Sequence, residues 1–559
     1  MTGGERLCRA LEELGVEAVF GLPGSQNVGL FEALRMSRLR TVVATSELAA
    51  AFMANGYARA TGRPGVLATI PGPGFTYALT GLAEALLDST PLLHIVGRPA
   101  DGPGRRFQLQ ALDQRAILAP MVKRVFDLDN LENVEAVLAD AYALCLSGEP
   151  GPVAVQIPSK LEDDAGPPRS VKAAPTSPPT PDTRDLQSRL AEARRPLLYV
   201  GQGACGAAAE LAELVESRRI PLVATSSARG ILPENHPWVV PFDRGSTEAL
   251  NELAERADLI LALGCKFSHN GAHGFRLKLP AGRLVQVDAS SAVLGANYDA
   301  SFLLEADVPW LVRTLLDATK TSPSAPSEWT TEEIDEWRQR AYARYDSAWE
   351  PKVRGLSPPT IETFFAALRG AMPAESCLVL DSGLHQMLAR RHFPVLGPGG
   401  LMLPADLQAM GFALPAAIGA RIGRPDLPVA ALLGDGGFAM SGFELLTAVR
   451  ERLRLTVVVF NDGHYGLIRK QQLGQHRHAY GTDLRNPDFE GIAEACGARY
   501  CRLGDGAEGD LTKVVAGPGV TLIEVVLRDA GRQRTRQVRR GLARILQWLY
   551  RRGFPVSGG

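Results

Sequence analysis

The sequence predicts an α/β protein built from three doubly wound parallel-sheet domains. Three observations carry this. Short apolar runs alternate with helical stretches from residue 1 to about 163, from about 185 to 330, and from about 358 to 528. Segments of different composition separate these blocks: a Pro-, Ser-, Thr- and Ala-rich stretch over 165–184, and charged helical sequence leading to Ser357-Pro-Pro-Thr360. Late in the chain, two apolar runs each end on an acidic residue in a glycine-containing turn, Gly434-Asp435-Gly436 and Asn461-Asp462-Gly463. The expected division is 1–164, a linker 165–184, 185–330, a connecting segment 331–357, 358–530, and a tail 531–559.

In the first block the expected strands are Ala18-Val-Phe20, Thr41-Val-Val-Ala44, Val66-Leu-Ala-Thr69, Leu92-Leu-His-Ile-Val96 and Val153-Ala-Val-Gln-Ile157. The second contributes Leu197–Val200, Leu259–Leu263 and Leu284–Val287. In the third, Val429–Leu433 and Leu455–Phe460 bracket Phe443–Arg450, whose apolar spacing is helical. Ligands bind beyond the carboxyl ends of strands in open α/β sheets. Asp435 and Asp462, 27 positions apart, therefore put two carboxylates at a binding edge. A hard cation such as Mg²⁺ takes oxygen ligands and keeps phosphate in its shell. Gly436 and Gly437 let backbone N–H groups approach an anion closely. The plain alternative is a pair of Asp-capped turns, but the pairing favours a metal and phosphate site. The tail is basic (Arg532, Arg534, Arg536, Arg539, Arg540) with Leu542, Ile545, Leu546 and Leu549 interleaved. It reads as an amphipathic helix docked on its own subunit, or facing a partner or anionic surface.

Bulk composition excludes several classes. Of 559 residues, 45% are hydrophobic and 22% charged, as in an ordinary globular protein. A net charge of −1 makes no electrostatic case for nucleic acid. The seven cysteines form no Cys-x-x-Cys pair, which suggests reduced thiols in a cytoplasm. The start shows no signal-peptide pattern, and no apolar run approaches the roughly 18 residues of a membrane span.

The segment from Gly434 to Gln472 resembles the cofactor motif of thiamine-diphosphate (ThDP) enzymes of the acetolactate synthase and 2-oxo acid decarboxylase superfamily. The resemblance implies a pyrimidine-binding first domain, a Rossmann-like central domain and a diphosphate-binding third domain. It also implies Mg²⁺ held by Asp435, Asp462 and the His464 backbone carbonyl. Many members have Asn where Asp462 stands. Glu47-Leu-Ala-Ala-Ala-Phe-Met-Ala-Asn-Gly-Tyr-Ala-Arg59 resembles the catalytic-Glu segment, with Ser46 where His is usual. Alone, Glu47 could simply complement a helix N-terminus. The resemblance implies that it hydrogen-bonds the cofactor's pyrimidine nitrogen and drives base catalysis through the cofactor. It also implies a homodimer or homotetramer, with Glu47 of one chain serving the cofactor of another.

Further matches are dispersed. Ile70-Pro-Gly-Pro-Gly74 resembles a family turn, and Phe107–Gln114 resembles the segment carrying an active-site Gln, in a register that fits Gln110 best and leaves Gln108 open. Surface hydrogen bonding is the other reading of either. In Asp381-Ser-Gly-Leu-His-Gln-Met387, Gly383 and His385 match a diphosphate-contacting loop, while Leu384 replaces a polar residue. Met410, 25 positions before Asp435, matches the residue wedged behind the bent cofactor, and Gln408 would offer its carbonyl to the amino group. A Met in an apolar stretch is otherwise core filler.

Departures narrow the branch. No His-His pair of the pyruvate-decarboxylase type occurs, and Ile468 stands where that group carries an acid. Ile70 replaces a benzoylformate-type His, whereas Ser25 matches that group's active-site Ser or merely caps the next helix. Asp462 with Gln471-Gln472 looks closest to flavin-free acetolactate synthases. Gly201-Gln-Gly-Ala-Cys-Gly206 fits G-x-G-x-x-G, but the acidic residue expected after the next strand is missing. Gly264-Cys-Lys-Phe-Ser-His-Asn270 departs from the flavin-binding segment, so FAD is not expected. His269 and His273 could reach substrate from this domain. The expected activity is decarboxylation of a 2-oxo acid with carboligation to a second carbonyl. Simple decarboxylation and 2-hydroxyketone cleavage are the alternatives, and a catalytically silent binding homologue is the remaining class.

Overall fold

In the computed structural model, which describes residues 1–99, 108–128, 131–158, 161, 166, 180–242, 246–321, 325–343, 347, 350–503 and 511–528, the strands form three sheets. Most of the 165–184 linker and all of the basic tail lie outside the described residues. The first sheet holds β1 (Ala18–Gly21), β2 (Arg40–Val43), β3 (Gly65–Thr69), β4 (Leu92–Gly97), β5 (Val125–Asp127) and β6 (Pro152–Ile157), in the order β2-β1-β3-β4-β6-β5. The second holds β7 (Pro196–Val200), β8 (Leu222–Ala224), β9 (Val239–Val240), β10 (Leu259–Leu263), β11 (Leu284–Asp288) and β12 (Phe302–Glu305), ordered β12-β11-β10-β7-β8-β9. The third contains β13 (Lys352–Val353), β14 (Cys377–Leu380), β15 (Leu401–Met402), β16 (Val429–Gly434), β17 (Leu455–Asn461), β18 (Arg499–Arg502) and β19 (Val520–Arg528). Its order is β13-β19-β17-β16-β14-β15, with β18 also on β19. All pairs are parallel except β13 with β19, an antiparallel edge on an otherwise parallel sheet. Central strands β4, β6, β7, β10 and β14 are buried along their whole length, which is why they read as continuous apolar runs rather than alternating ones.

Helix α1 (Glu47–Thr61) follows β2, and α2 (Pro73–Leu87) follows β3. In the third domain, α3 (Leu384–His392), α4 (Ala413–Gly423), α5 (Asp435–Ser441), α6 (Glu444–Arg450) and α7 (Gly466–His476) occur in that order. Ser46 caps α1: its side chain accepts the Ala49 N–H at 3.2 Å, so the Ser at the usual His position starts the helix that carries Glu47.

The terminal domains share a core. Ala50, Ala51, Phe52 and Met53 of α1 pack with Phe412, Ala416, Ala417 and Ala420 around α4, and Phe52 meets Phe412 edge to face at 5.3 Å. The central domain keeps a core of its own around Leu198, Val200, Ile260 and Leu311. The helices α1 and α4 touch backbone to backbone. A Cβ on Gly56 would strike the Ala416 carbonyl, and one on Gly419 the Met53 carbonyl. Gly56→Ala is therefore expected to cost about 1–3 kcal/mol through overpacking. A lower urea midpoint at unchanged m-value checks it. Among the described residues no helix is long and apolar enough to cross a membrane.

Candidate active site

Three neighbouring strands, β14, β16 and β17, end side by side on Asp381, Asp435 and Asn461-Asp462. Asp435, only 3% exposed, accepts the Gly436 N–H on Oδ1 at 2.9 Å, and the Gly463 N–H and Asn486 Nδ2 on Oδ2 at 2.8 and 2.7 Å. Burial raises its pKa, and these donors pull it partly back. Asn486 also bonds Asn461 Oδ1 at 2.8 Å, so one side chain ties the two motifs together. Asp462 accepts the His464 N–H at 3.0 Å. A side chain at Gly466 would strike its other oxygen. His464 Nδ1 lies 3.1 Å from Asp483 Oδ1, and the Gly463–Tyr465 turn is held by backbone bonds to 482–484.

A glycine cradle adjoins this pair. A Cβ on Gly436 would lie 2.6 Å from the Tyr465 ring and 3.3 Å from Met410 Cε. Met410 is thus folded over the Gly434-Asp435-Gly436 turn. A Cβ on Gly437 would lie 2.9 Å from Asp381 Oδ1. Asp381 is fully buried and accepts the N–H groups of Ser382, Gly411 and Ala413 at 2.9, 3.0 and 2.9 Å. Burial pushes its carboxyl up to about 7 against those bonds. It joins the 381–385 loop, the Met410 loop and α5 at one point. His385 packs beside Gly383 and Gly434. Burial depresses its imidazole to about 4, leaving it neutral, and Nε2 is buried with no hydrogen-bond partner. Gln408 sits at φ +63°. Its amide nitrogen donates to the Pro404 and Ala405 carbonyls at 2.6 and 2.7 Å, while Ser382 Oγ donates to its oxygen at 3.2 Å.

The first domain supplies a second cluster. Glu47 opens α1, and no hydrogen bond or ion pair among the described residues engages its carboxylate. A Cβ on Gly74 would lie 2.9 Å from Glu47 Oε1 and 2.7 Å from Ile70. Gly72, at φ +65°, lies against Gln110, whose own φ is +59° and whose Oε1 is buried without a partner. Backbone strain at a polar residue with an unsatisfied buried oxygen is typical of ligand-contacting positions. Buried Gln114 supports this turn, accepting the Gly72 N–H at 3.3 Å and donating to Gly97 O at 3.0 Å. Ser25 is exposed in the turn before Val28 and caps nothing: Asn27 Oδ1 instead accepts the Gly24 N–H at 2.7 Å. His273 is buried on Thr247 and Phe242, and so packs inside the central domain, while His269 stays exposed against Phe275.

No hydrogen bond or ion pair among the described residues joins Glu47 directly to the Asp435 cluster. The link is indirect. Buried Glu444, early in α6, accepts both the N–H and the hydroxyl of Thr45, two residues before Glu47. Arg40 pairs with Glu451 at 2.8 Å, and Arg450 donates to the Val43 carbonyl. Asp381, Asn486, Gln114 and Glu444 were not anticipated. Each acts on residues remote in sequence or through a bare backbone N–H, and no local motif marks them.

Among the described residues no three His, Cys, Asp or Glu side chains converge as a metal set. A hard cation at Asp435 and Asp462 would need a backbone carbonyl and ligand phosphate oxygens as well. The neighbouring groups suit that: bare backbone at Gly436 and Gly437, held close by Tyr465 and Asp381, and an unpartnered neutral imidazole nitrogen on His385. A sizeable cavity lies elsewhere. It measures about 760 Å³ and is lined by Gly201, Gln202, Thr225, Lys266, Asp288 and Asp406, past the ends of β7, β10 and β11. Size does not identify the reaction centre; donor chemistry and strain point to the Asp435 and Glu47 clusters.

The family description "Thiamine pyrophosphate enzyme, N-terminal TPP binding domain" matches residues 1–117, its central domain 183–315, and its C-terminal TPP binding domain 381–525. The chain is 32% identical to the acetolactate synthase large subunit of Corynebacterium glutamicum, over 90% of this chain and 82% of the relative. It is 30% identical to the acetolactate synthase isozyme 1 large subunit of Escherichia coli, over 94% and 93%. An acetolactate synthase of Mycobacterium bovis is 34% identical over 89% of this chain and 83% of its own.

Proposed function

The chain belongs to the thiamine pyrophosphate enzyme family, among its acetolactate-synthase-like members, and from that premise we propose that it decarboxylates a 2-oxo acid, pyruvate by default, and joins the acyl carbon to the carbonyl of a second substrate. The observation that carries this reading is the meeting of Asp381, Asp435 and Asp462 at adjacent strand ends, with Met410 folded against Gly436.

Thiamine diphosphate, when bound, would supply a nucleophilic carbon and a cationic thiazolium ring able to take up the electron pair released with carbon dioxide. The rest falls to the chain. Asp435, Asp462 and the His464 carbonyl would hold Mg²⁺, which neutralises the diphosphate charge. Gly436 and Gly437 let backbone approach the diphosphate, and Gly383 and His385 offer the loop beside it. Met410 would support the bent cofactor from behind, with the Gln408 carbonyl toward its amino group. Glu47 would bind the pyrimidine nitrogen and hold or release a proton there. Gln110 and Ser25 would face the substrate and orient its carbonyl.

Two features support assembly of at least two chains. Glu47 and Asp435 form separate clusters, and the apolar side chains of Tyr77, Met440, Phe443 and Leu446 are exposed at 64%, 54%, 64% and 43%. Helix α7 buries no residue at all. A homodimer would cover such surfaces and let Glu47 of one chain meet the cofactor held by its partner. A flavin-free protein is proposed because no acidic residue follows β8 to hold a ribose. All seven cysteines are free, in keeping with a reducing cytoplasm.

The test is incubation with ThDP, Mg²⁺ and a panel of 2-oxo acids, with and without aldehyde or keto-acid acceptors, and identification of products by mass spectrometry. The expected result is a 2-hydroxyketone or 2-hydroxy-3-oxo acid that depends on both substrates. Aldehyde alone would make the protein a simple decarboxylase. No turnover with any donor would make it a silent homologue. Flavin fluorescence released on denaturation would overturn the flavin-free assignment.

A further inference from the structure

Helix α2 touches both clusters. At its start, Gly72 and Gly74 lie against Gln110 and Glu47. Its 15 residues span about 22 Å, and its far end grips the loop that carries Gln408 and Met410. Asp88, which ends the helix, accepts the Ala405 N–H on one oxygen at 2.9 Å and the Asp406 N–H on the other at 3.0 Å. It pairs with Arg59 of α1 at 2.6 Å, and Arg59 donates to the Leu403 carbonyl at 2.7 Å. Glu84, one turn earlier and fully buried, accepts the Ala409 N–H on Oε2 at 3.0 Å, while Oε1 has no partner.

A carboxylate buried this completely with one bond would be costly. Desolvation, with the charge of Asp88 and a side-chain hydrogen bond to it adding to the effect, pushes the Glu84 carboxyl well above the usual carboxylate range and favours its neutral form. The gripped loop is itself strained, since Gln408 holds a left-handed backbone. Such a conformation persists only where the surroundings over-determine it. The first domain provides those surroundings through bonds to Leu403, Ala405, Asp406 and Ala409.

We propose that Glu84, Asp88 and Arg59 are positioning residues that hold the Leu403–Met410 loop in the shape needed to receive the cofactor. This rests on the reading that the loop supports bound ThDP. The three act through backbone groups and touch neither cofactor nor substrate.

The test uses the full-length protein and the variants Glu84→Ala, Glu84→Gln and Arg59→Lys. ThDP is titrated calorimetrically in the presence of Mg²⁺, hydrogen exchange is followed over 403–410, and KM for the 2-oxo acid is measured separately. Glu84→Ala is expected to weaken ThDP binding about tenfold or more and to speed exchange at Ala409. KM for the 2-oxo acid should stay within about twofold. Glu84→Gln should restore wild-type behaviour, because its carbonyl accepts the same N–H and its amide stands in for the protonated oxygen. Arg59→Lys keeps the charge beside Asp88 but loses the fork to Leu403, so ThDP binding should weaken severalfold. It decides the matter if Glu84→Ala does not fold. Wild-type ThDP affinity in Glu84→Ala, or in Arg59→Lys where that variant decides, overturns the proposal, as does Glu84→Gln failing as badly as Ala. No ThDP binding by the wild type overturns the functional reading itself, and this proposal with it.

Discussion

Exchange of Glu47 for Gln is expected to lower turnover by about 10²–10⁴-fold, the range that a positioned general acid–base group contributes, while ThDP affinity stays within a few-fold. The substitution is nearly isosteric. Glu47 starts a well-capped helix and makes no hydrogen bond or ion pair among the described residues, so beyond a modest interaction with the helix N-terminus the fold does not draw on its charge. Its Oε1 lies beside Gly74, a setting that leaves the carboxyl available to a ligand. Steady-state turnover alongside a ThDP titration checks the expectation. Unchanged turnover would remove Glu47 from the chemistry. Loss of binding together with turnover would make its role one of holding the cofactor.

The second large effect is expected at Asp435. Its carboxylate accepts three donors, the N–H groups of Gly436 and Gly463 and the Asn486 amide. In Asp435→Asn one acceptor oxygen becomes an NH₂ that faces an N–H donor, and the negative charge for a cation is lost. A buried donor left without an acceptor costs about 1–3 kcal/mol, and loss of the metal contact adds to this. ThDP affinity measured with Mg²⁺ is expected to fall at least about 100-fold, and added Mg²⁺ should recover little of it. The direction with pH follows from the same group. Burial raises the Asp435 pKa, so the charged form, and cation binding with it, should be lost as pH falls, beginning higher than for an ordinary carboxylate. Calorimetric titrations of both proteins across pH, with circular dichroism to verify folding, test both points. Asp435→Asn binding Mg²⁺ and ThDP like wild type would place the cation elsewhere.

Much of the fold was legible because its signals are local. The central strands are buried on both faces, so Leu259–Leu263 and Val429–Leu433 announce themselves as apolar runs. The turns after them need glycine or a short polar residue, so Gly434-Asp435-Gly436 and Asn461-Asp462-Gly463 stand out. Short edge pieces such as β9 and β13, two residues each, carry too little pattern to be read. The antiparallel edge of the third sheet was missed for that reason. Within the site, sequence could not choose between Gln108 and Gln110 or between two roles for Ser25. The left-handed backbone of Gln110 against Gly72 depends on how distant segments pack, whereas the Asn27 bonds that close the turn holding Ser25 are local.

By itself the sequence determined the three-domain α/β plan, the two carboxylates at neighbouring strand ends and the glutamate at the head of a helix. Each is encoded within a few residues, by hydrophobic burial and by the conformational demands of turns. Only the tertiary structure decided what holds those groups in place. Glu84 reaches Ala409 across 325 positions and Glu444 reaches Thr45 across 399. Both bond to backbone N–H groups that every residue but proline possesses, so no side-chain pattern could have revealed them. Such partners exist only once helices α1 and α4 have packed and brought the first and third domains into contact.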